Sequence, residues 1–223
     1  IVGFGLQDVA EKTIFEYENI KGEALAVPVS NINPYLVDAP DLVLEKRNQP
    51  ICLVPTISYG SMANDDGHLL LDKEQRNALI AAEPATAPYI RRYMGAQEFL
   101  NNAERWCLWL KDISPSLMRS SNELRHRIEA VRKFRASSNR EATRNLAATP
   151  SLFGEDRQPL KSYLLLPKVS SENRPYMPIG FMPSEVIANG SALTISDSGH
   201  YEMGVLQSKM HMAWMRAVAG RMK

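Results

Sequence analysis

Prolines and glycines cut this chain into pieces too short for most ways of building a large domain. Gly22, Pro28, Pro34, Pro40 and Pro50 leave no room for a long helix in residues 1–58. Proline removes a backbone donor and fixes φ, so helices stop at it and strands carry it only at an edge. What lies between reads as strand: IVGFGL, the partly alternating KTIFEYE, and PICLVPTISY. The last third is divided in the same way, with strand-like runs at 163–169, 176–182 and 192–196 between Pro, Gly and Asn turns. Connections this short favour antiparallel pairing, because parallel crossovers need a dozen residues or more.

The middle is helical. Asp72 and Gln75 form a capping-box pattern that opens a helix over 73–82. Pro84 and Pro88 then mark off a short helical piece holding Tyr89, Ile90 and Tyr93, and WCLWL at 106–110 reads as a buried strand. Ser114–Pro115 suits an N-cap and first helical position. From Asn122, a helical stride runs through Leu124, Ile128, Val131 and then Phe134 or Arg135, with Arg125, Arg132 and Lys133 outward. Residues 137–139 end that helix and cap a short one through Leu146, which Pro150 stops. A final amphipathic helix carries Val205, Leu206, Met210, Ala213, Trp214 and Val218, a stripe that reads as core packing. The fold class is α+β: a mostly antiparallel sheet with flanking helices and the C-terminal helix packed on the sheet.

Net charge is only +1 over 223 residues, but it is unevenly spread. Residues 1–118 hold 10 basic and 16 acidic side chains, residues 119–168 hold 11 basic and 5 acidic, and the remainder is near neutral. Positive charge confined to fifty residues suits a polyanion-binding face, and a solvated helix with charged flanks would read the same way. The basic side chains are mostly arginine, whose planar fork holds a phosphate or a guanine edge with two hydrogen bonds.

Most candidate chemistry fails on inspection. Gly3-Phe4-Gly5 invites a cofactor-loop reading, but Asp8 stands where the third glycine should be. Asn33-Pro34-Tyr35 lacks the second proline of an amino-methyltransferase loop and reads as a turn. Cys52 and Cys107 are too few and too far apart for a disulfide framework or a zinc site, and their apolar flanks favour buried free thiols. His68, His126, His200 and His211 show no metal-ligand spacing. No secretory signal, lipidation motif or membrane-length apolar run is present, so a cytoplasmic protein without a membrane partner is expected. Asp65, Asp66 and His68 around Gly67 suit either a hydrolase cluster or a tight Asx turn.

The polar middle offers a different chemistry. SSNREATRNLAATP sets Asn139, Arg140 and Arg144 at a helix start, where amide groups and the helix dipole attract phosphate. GEDRQP carries Arg157 in a loop. KVSSENRPY places Lys168, Ser170, Ser171, Glu172, Asn173 and Arg174 between two strands. That set can read bases: Arg for guanine, Asn for adenine, Glu for the cytosine amine, Ser for either. It would serve equally well as an ordinary hairpin loop, and these residues alone do not choose.

Six segments fall in one order: GSMANDDGHLLL at 60–71, YIRRYMGAQEF at 89–99, ERWCLWL at 104–110, ATRNLAATPSLFGEDRQP at 142–159, YLLLPKVSSENRPYMPIGF at 163–181 and SKMHMAWMRAVAGRMK at 208–223. Together they resemble the target-recognition region of the large MmeI-like restriction–modification enzymes, which join endonuclease, DNA adenine methyltransferase and sequence-reading module in one polypeptide. The resemblance implies that residues 1–60 connect from a preceding methyltransferase domain and that 61–223 form the recognition domain. It implies double-stranded DNA as partner, in a bacterial cytoplasm. S-adenosylmethionine and a divalent metal would belong to the parent enzyme and neither to this segment, which would have no catalytic residue of its own. The strand-like start at Ile1 fits a segment of a longer chain. The expected DNA-binding residues are Arg132, Lys133, Asn139, Arg140, Arg144, Arg157, Lys168, Ser170, Ser171, Glu172, Asn173 and Arg174. The alternatives are a small hydrolase using Asp65, Asp66 and His68, or an RNA-binding module. An RNA reader would expose aromatics on a sheet face, whereas Trp106, Trp109, Tyr163 and Phe181 sit in runs that read as buried.

Overall fold

The computed structural model describes residues 5–218 apart from Asp8, Ile20, Leu44, Lys46, Asn48 and Glu172. The expectations for Gly3 and Phe4 lie outside the described residues. The chain forms two compact units, Ile1–Leu53 and Val54–Lys223.

The smaller unit is built on a hairpin. Strand β1 (Lys12–Tyr17) pairs antiparallel with β2 (Ala24–Val29), Lys12 opposite Val29 and Tyr17 opposite Ala24. Its turn is closed by Gly22 N–H donating to Asn19 O at 2.9 Å. Phe15, Tyr17 and Leu25 are exposed on it. The NPY segment is the expected turn: the Asn33 side-chain oxygen accepts from Tyr35 N–H at 2.9 Å, and Asn33 itself is buried. Cys52 corrects the expectation for its run. It is exposed, as are Ile51 and Leu53, because no strand forms between Pro50 and Pro55 to bury them. Cys107 is buried as expected, and burial pushes its thiol pKa above the ordinary range.

In the larger unit, β3 (Ile57–Tyr59), β7 (Tyr163–Pro167), β8 (Gly180–Met182) and β10 (Ala192–Ile195) make an antiparallel sheet in the order β3-β10-β7-β8. Every residue of β7 is buried, and its alternation serves two cores. Tyr163 and Leu165 pack with Ala188 and Ala192 on one face, while Leu164 and Leu166 pack with Ile179 and Ile195 on the other. The second sheet contains β4 (Leu70–Leu71), β5 (Ile90–Met94), β6 (Trp106–Leu108) and β9 (Ile187–Ala188) in the order β4-β6-β5-β9. Its β5–β9 pair is parallel, an exception to the antiparallel rule of the rest.

Helix α1 (Lys73–Ala82) has the expected capping box from Asp72 and Gln75. The piece after it differs from expectation. A 3-10 turn covers Pro84–Tyr89, but Ile90 and Tyr93 lie in β5, where pairing with β6 outweighs the local helical signal. Two helices follow the expected starts: α3 (Pro115–Ser120), capped by Ser114, and α4 (Asn122–Ala136), capped by Ser121, both after a short α2 (Ala96–Asn101). The α4 start has a second acceptor in the Glu83 carboxylate, which takes hydrogen bonds from the Ser121 hydroxyl and from Asn122 N–H at 3.1 Å and Glu123 N–H at 3.2 Å. Orphan donors at a helix start need such partners. Leu124, Ile128 and Val131 face the core, and the open choice between Phe134 and Arg135 falls to Arg135, which is fully buried.

The short helix α5 (Glu141–Asn145) starts from Arg140, so Asn139 is not its cap. Ser138 instead accepts from Arg140 N–H through its hydroxyl at 3.2 Å. Strand β8 is shorter than the expected 176–182 because Pro175 and Pro178 break the ladder ahead of it. Phe181 within it is half exposed, against expectation. The last helix is two: α6 (His200–Leu206) and α7 (Lys209–Val218), divided where Ser208 caps the second by accepting from His211 N–H at 3.1 Å. Met203 and Leu206 of α6 pack onto the Leu164 face of the sheet. The expected Met and Trp core stripe is corrected on α7, where Met212 is buried but Met210 and Trp214 are 84% and 51% exposed. Among the described residues no helix is long and apolar enough to cross a membrane.

Gly60 and Gly95 hold the two sheets together through the turn at Asn189. A Cβ on Gly60 would lie 2.2 Å from the Asn189 carbonyl oxygen, and one on Gly95 would lie 2.1 Å from the Asn189 side-chain amide. The same approach carries Gly60 N–H to Ala192 O and Ser61 N–H to Ala188 O. Gly60→Ala is expected to cost about 3 kcal/mol, at the upper end for overpacking, since a backbone carbonyl must move. Denaturant titration checks this. An unshifted midpoint would mean that the turn yields freely.

Candidate nucleic-acid interface

The first sheet ends in an exposed strand edge, and two of the expected DNA-binding residues meet there. Tyr59 on β3 lies opposite Leu193 of β10, half exposed. The Lys168 ammonium sits 5.0 Å from the Tyr59 ring centroid and the Arg157 guanidinium 5.9 Å from it. Cations over an aromatic face are held by its quadrupole, so the ring fixes where both charges stand. The backbone anchors both residues as well. Arg157 N–H donates to the buried Ser61 hydroxyl at 3.0 Å, and Lys168 N–H donates to Ser191 O at 3.0 Å. Arg157 also forms an ion pair with Glu155. Tyr59 was not among the residues singled out from sequence, since its exposure follows from the β3–β10 register.

The loop after β7 is a compact turn. Arg174 N–H donates to Ser171 O at 3.2 Å, and Asn173 N–H donates to the Ser171 hydroxyl at 3.3 Å. Ser170 has a buried hydroxyl with no hydrogen-bond partner among the described residues. Asn173 is exposed and Arg174 half-buried, while Glu172 lies outside the described residues. From α7, the Arg216 guanidinium donates to Arg174 O at 3.3 Å, a support that sequence reasoning missed.

The remaining expected residues stand on α4 and the α4–α5 turn. Arg132 pairs with Glu129 at 3.8 Å, both half exposed. Lys133, Asn139 and Arg140 are exposed. Arg144 folds back to donate to Ser138 O at 3.0 Å. None of these reaches the Tyr59 ring, so the expected residues fall into two groups.

The Asp65–His68 segment serves the fold. Asn64, Asp66 and Gly67 adopt left-handed φ values of 50°, 54° and 83°. The buried Asp65 carboxylate accepts from Leu69 N–H at 2.5 Å, and Arg127 donates to His68 O at 3.0 Å. Beside it the Arg135 guanidinium places all five of its N–H groups on carbonyls, those of Ala63, Asn64, Leu146, Thr149 and Leu152, at 2.8–3.0 Å. Burial lowers the Arg135 pKa, opposed by the Asp65 charge. Among the described residues no three His, Cys, Asp or Glu side chains are grouped to hold a metal ion.

Comparison with known proteins places the chain as a whole. The family model for the MmeI target recognition domain matches residues 38–223. DNA methyltransferase A of Bacillus subtilis (strain 168) is 36% identical over the whole of this chain, which spans 25% of that protein. A solved structure of the Type IIL restriction–modification enzyme MmeI in complex with DNA superposes with a TM-score of 0.85 at 44% identity, covering 98% of this chain and 29% of the MmeI chain. Antiparallel sheets, flanking helices and the ordered segments thus agree with one another, and the chain belongs to the MmeI target recognition domain family.

Proposed function

We propose that this chain selects the DNA sequence on which a larger restriction–modification polypeptide acts. The carrying observation is the 44% identity, across nearly the whole chain, to an enzyme solved in complex with DNA. In this reading residues 61–223 read double-stranded DNA, and residues 1–60 lead out of a methyltransferase domain of the same polypeptide. Strand β3, at the end of that connecting segment, is paired into the first sheet as its edge.

The work divides between the two residue groups. Lys168, Ser171, Glu172, Asn173 and Arg174 supply donors and acceptors for base edges, beside the positive pair of Arg157 and Lys168 at Tyr59, whereas the Ser170 hydroxyl is buried and is not among them. Arg132, Lys133, Asn139, Arg140 and Arg144 hold phosphates, which fix register without reading sequence. The parent would methylate adenine with S-adenosylmethionine and cut with a divalent metal, in a bacterial cytoplasm. Among the described residues no cluster of metal ligands is present, and the NPY turn uses its asparagine on its own backbone.

The test is methylation sequencing of genomic DNA from cells expressing the full-length polypeptide and no other modification enzyme. One short sequence carrying methyladenine is expected. Methylation spread without sequence preference would contradict the reading.

A further inference from the structure

A groove of about 560 Å³ runs between α3 and α4. Its lining includes Arg119, Arg125, His126 and Arg132 over an apolar floor at Ile128, with Glu129 the carboxylate among them. Arg119 and Arg125 make no side-chain hydrogen bond or ion pair among the described residues. The Arg132–Glu129 pair is exposed at the surface, where such pairs are weak and exchange readily for a stronger anion. Nothing in the core uses these charges. Leu124, Ile128 and Val131 supply the packing of α4, and Glu83 and Ser121 already satisfy its N-terminus.

The charge and the spacing suit a phosphate backbone. Arg125 and Arg132 are seven residues apart on one helix, a rise of about 10 Å at 1.5 Å per residue. Successive phosphates of one strand of B-DNA advance about 3.4 Å along the axis and lie farther apart through space because the strand winds, so this span reaches about two to three of them. An extended acidic protein segment would match the charge with a similar rise per residue, but duplex DNA is favoured because the chain belongs to the MmeI target recognition domain family and is similar to an enzyme solved in complex with DNA.

We infer that the α3–α4 groove holds about three consecutive phosphates of duplex DNA outside the bases being read. This rests on the proposed function, and it adds Arg119, Arg125 and His126 to the expected contacts. The groove's guanidinium groups belong to neither the Tyr59 cluster nor the loop after β7, so they strengthen binding to every sequence alike.

The experiment compares the full-length polypeptide with its Arg119→Gln/Arg125→Gln/Arg132→Gln variant, using a labelled random-sequence duplex as probe over a salt series. Losing three phosphate contacts lowers the slope of log affinity against log salt by about 2.7. Wild-type affinity then falls about 40-fold further than the variant's between about 50 and 200 mM salt. The methylated sequence stays the same, and the corresponding triple Lys variant keeps the wild-type slope. Equal slopes in wild type and Gln variant overturn the groove assignment, including the case in which the groove instead docks an acidic protein segment. A changed methylated sequence overturns it too, because the groove would then read bases. A wild-type polypeptide that shows no salt-dependent DNA binding sinks the underlying function, and the groove with it.

Discussion

Arg135→Met is expected to destabilise the larger unit by about 3–5 kcal/mol, because it removes a fully buried side chain that satisfies five carbonyl acceptors. The apolar side chain of methionine fills part of the space. It leaves the carbonyls of Ala63, Asn64, Leu146, Thr149 and Leu152 without their donor. Each unsatisfied buried acceptor carries a penalty of about 1–3 kcal/mol where water cannot replace the partner. Typical domains are stable by only about 5–15 kcal/mol, so this one substitution removes a large share. Arg135→Lys is expected to be nearly as damaging, since one ammonium has three donors and no fork to span five carbonyls. Denaturant titration of both variants measures this. A lysine variant within about 1 kcal/mol of wild type would mean that one or two of the five bonds carry the effect.

The consequence extends to the interface. Arg135 ties the turn at Ala63 and Asn64 to the segment from Leu146 to Leu152, and Met62 bridges onward to Glu155, beside Arg157. A charge inside the protein thus braces a loop whose arginine faces outward.

Arg135 also shows where a sequence stops being legible. The helical stride from Leu124 reached either Phe134 or Arg135, and hydropathy alone favours burying the phenylalanine. Only the five converging carbonyls, brought from segments up to 72 residues away, make the arginine the better core residue. Elements set by local chemistry were readable: the Asp72–Gln75 box, the Ser114–Pro115 start and the buried WCL strand. Elements set by distant pairing were not. Ile90 and Tyr93 become strand because β6 is there to pair, and β9 is a two-residue strand defined by its parallel neighbour. The α7 stripe was legible as amphipathic but not as exposed. For the candidate interface, residue types pointed to the loop after β7, whereas the meeting of Arg157 and Lys168 over Tyr59 depends on a strand far upstream of both in sequence.

The second large effect concerns specificity. The loop after β7 carries an acceptor, an amide and a guanidinium within three residues, Glu172 to Arg174. Arg174 is held by the Ser171 turn and by Arg216 of α7, and Pro175 and Pro178 stiffen the exit. A pre-stiffened loop loses less entropy on binding, so more of each contact's energy serves discrimination. A base-edge contact from such a loop is worth about 1–3 kcal/mol between right and wrong bases, up to roughly a hundredfold. Removing a phosphate contact would instead weaken all sequences alike.

The most direct measurement therefore replaces Glu172 and Arg174 by other polar pairs in the full-length polypeptide and sequences the sites it methylates. The expected result is a recognised sequence altered at one or more positions, with the others retained. An unchanged sequence, methylated at uniformly lower efficiency, would contradict the claim that this loop reads bases and would leave it a support for the DNA backbone.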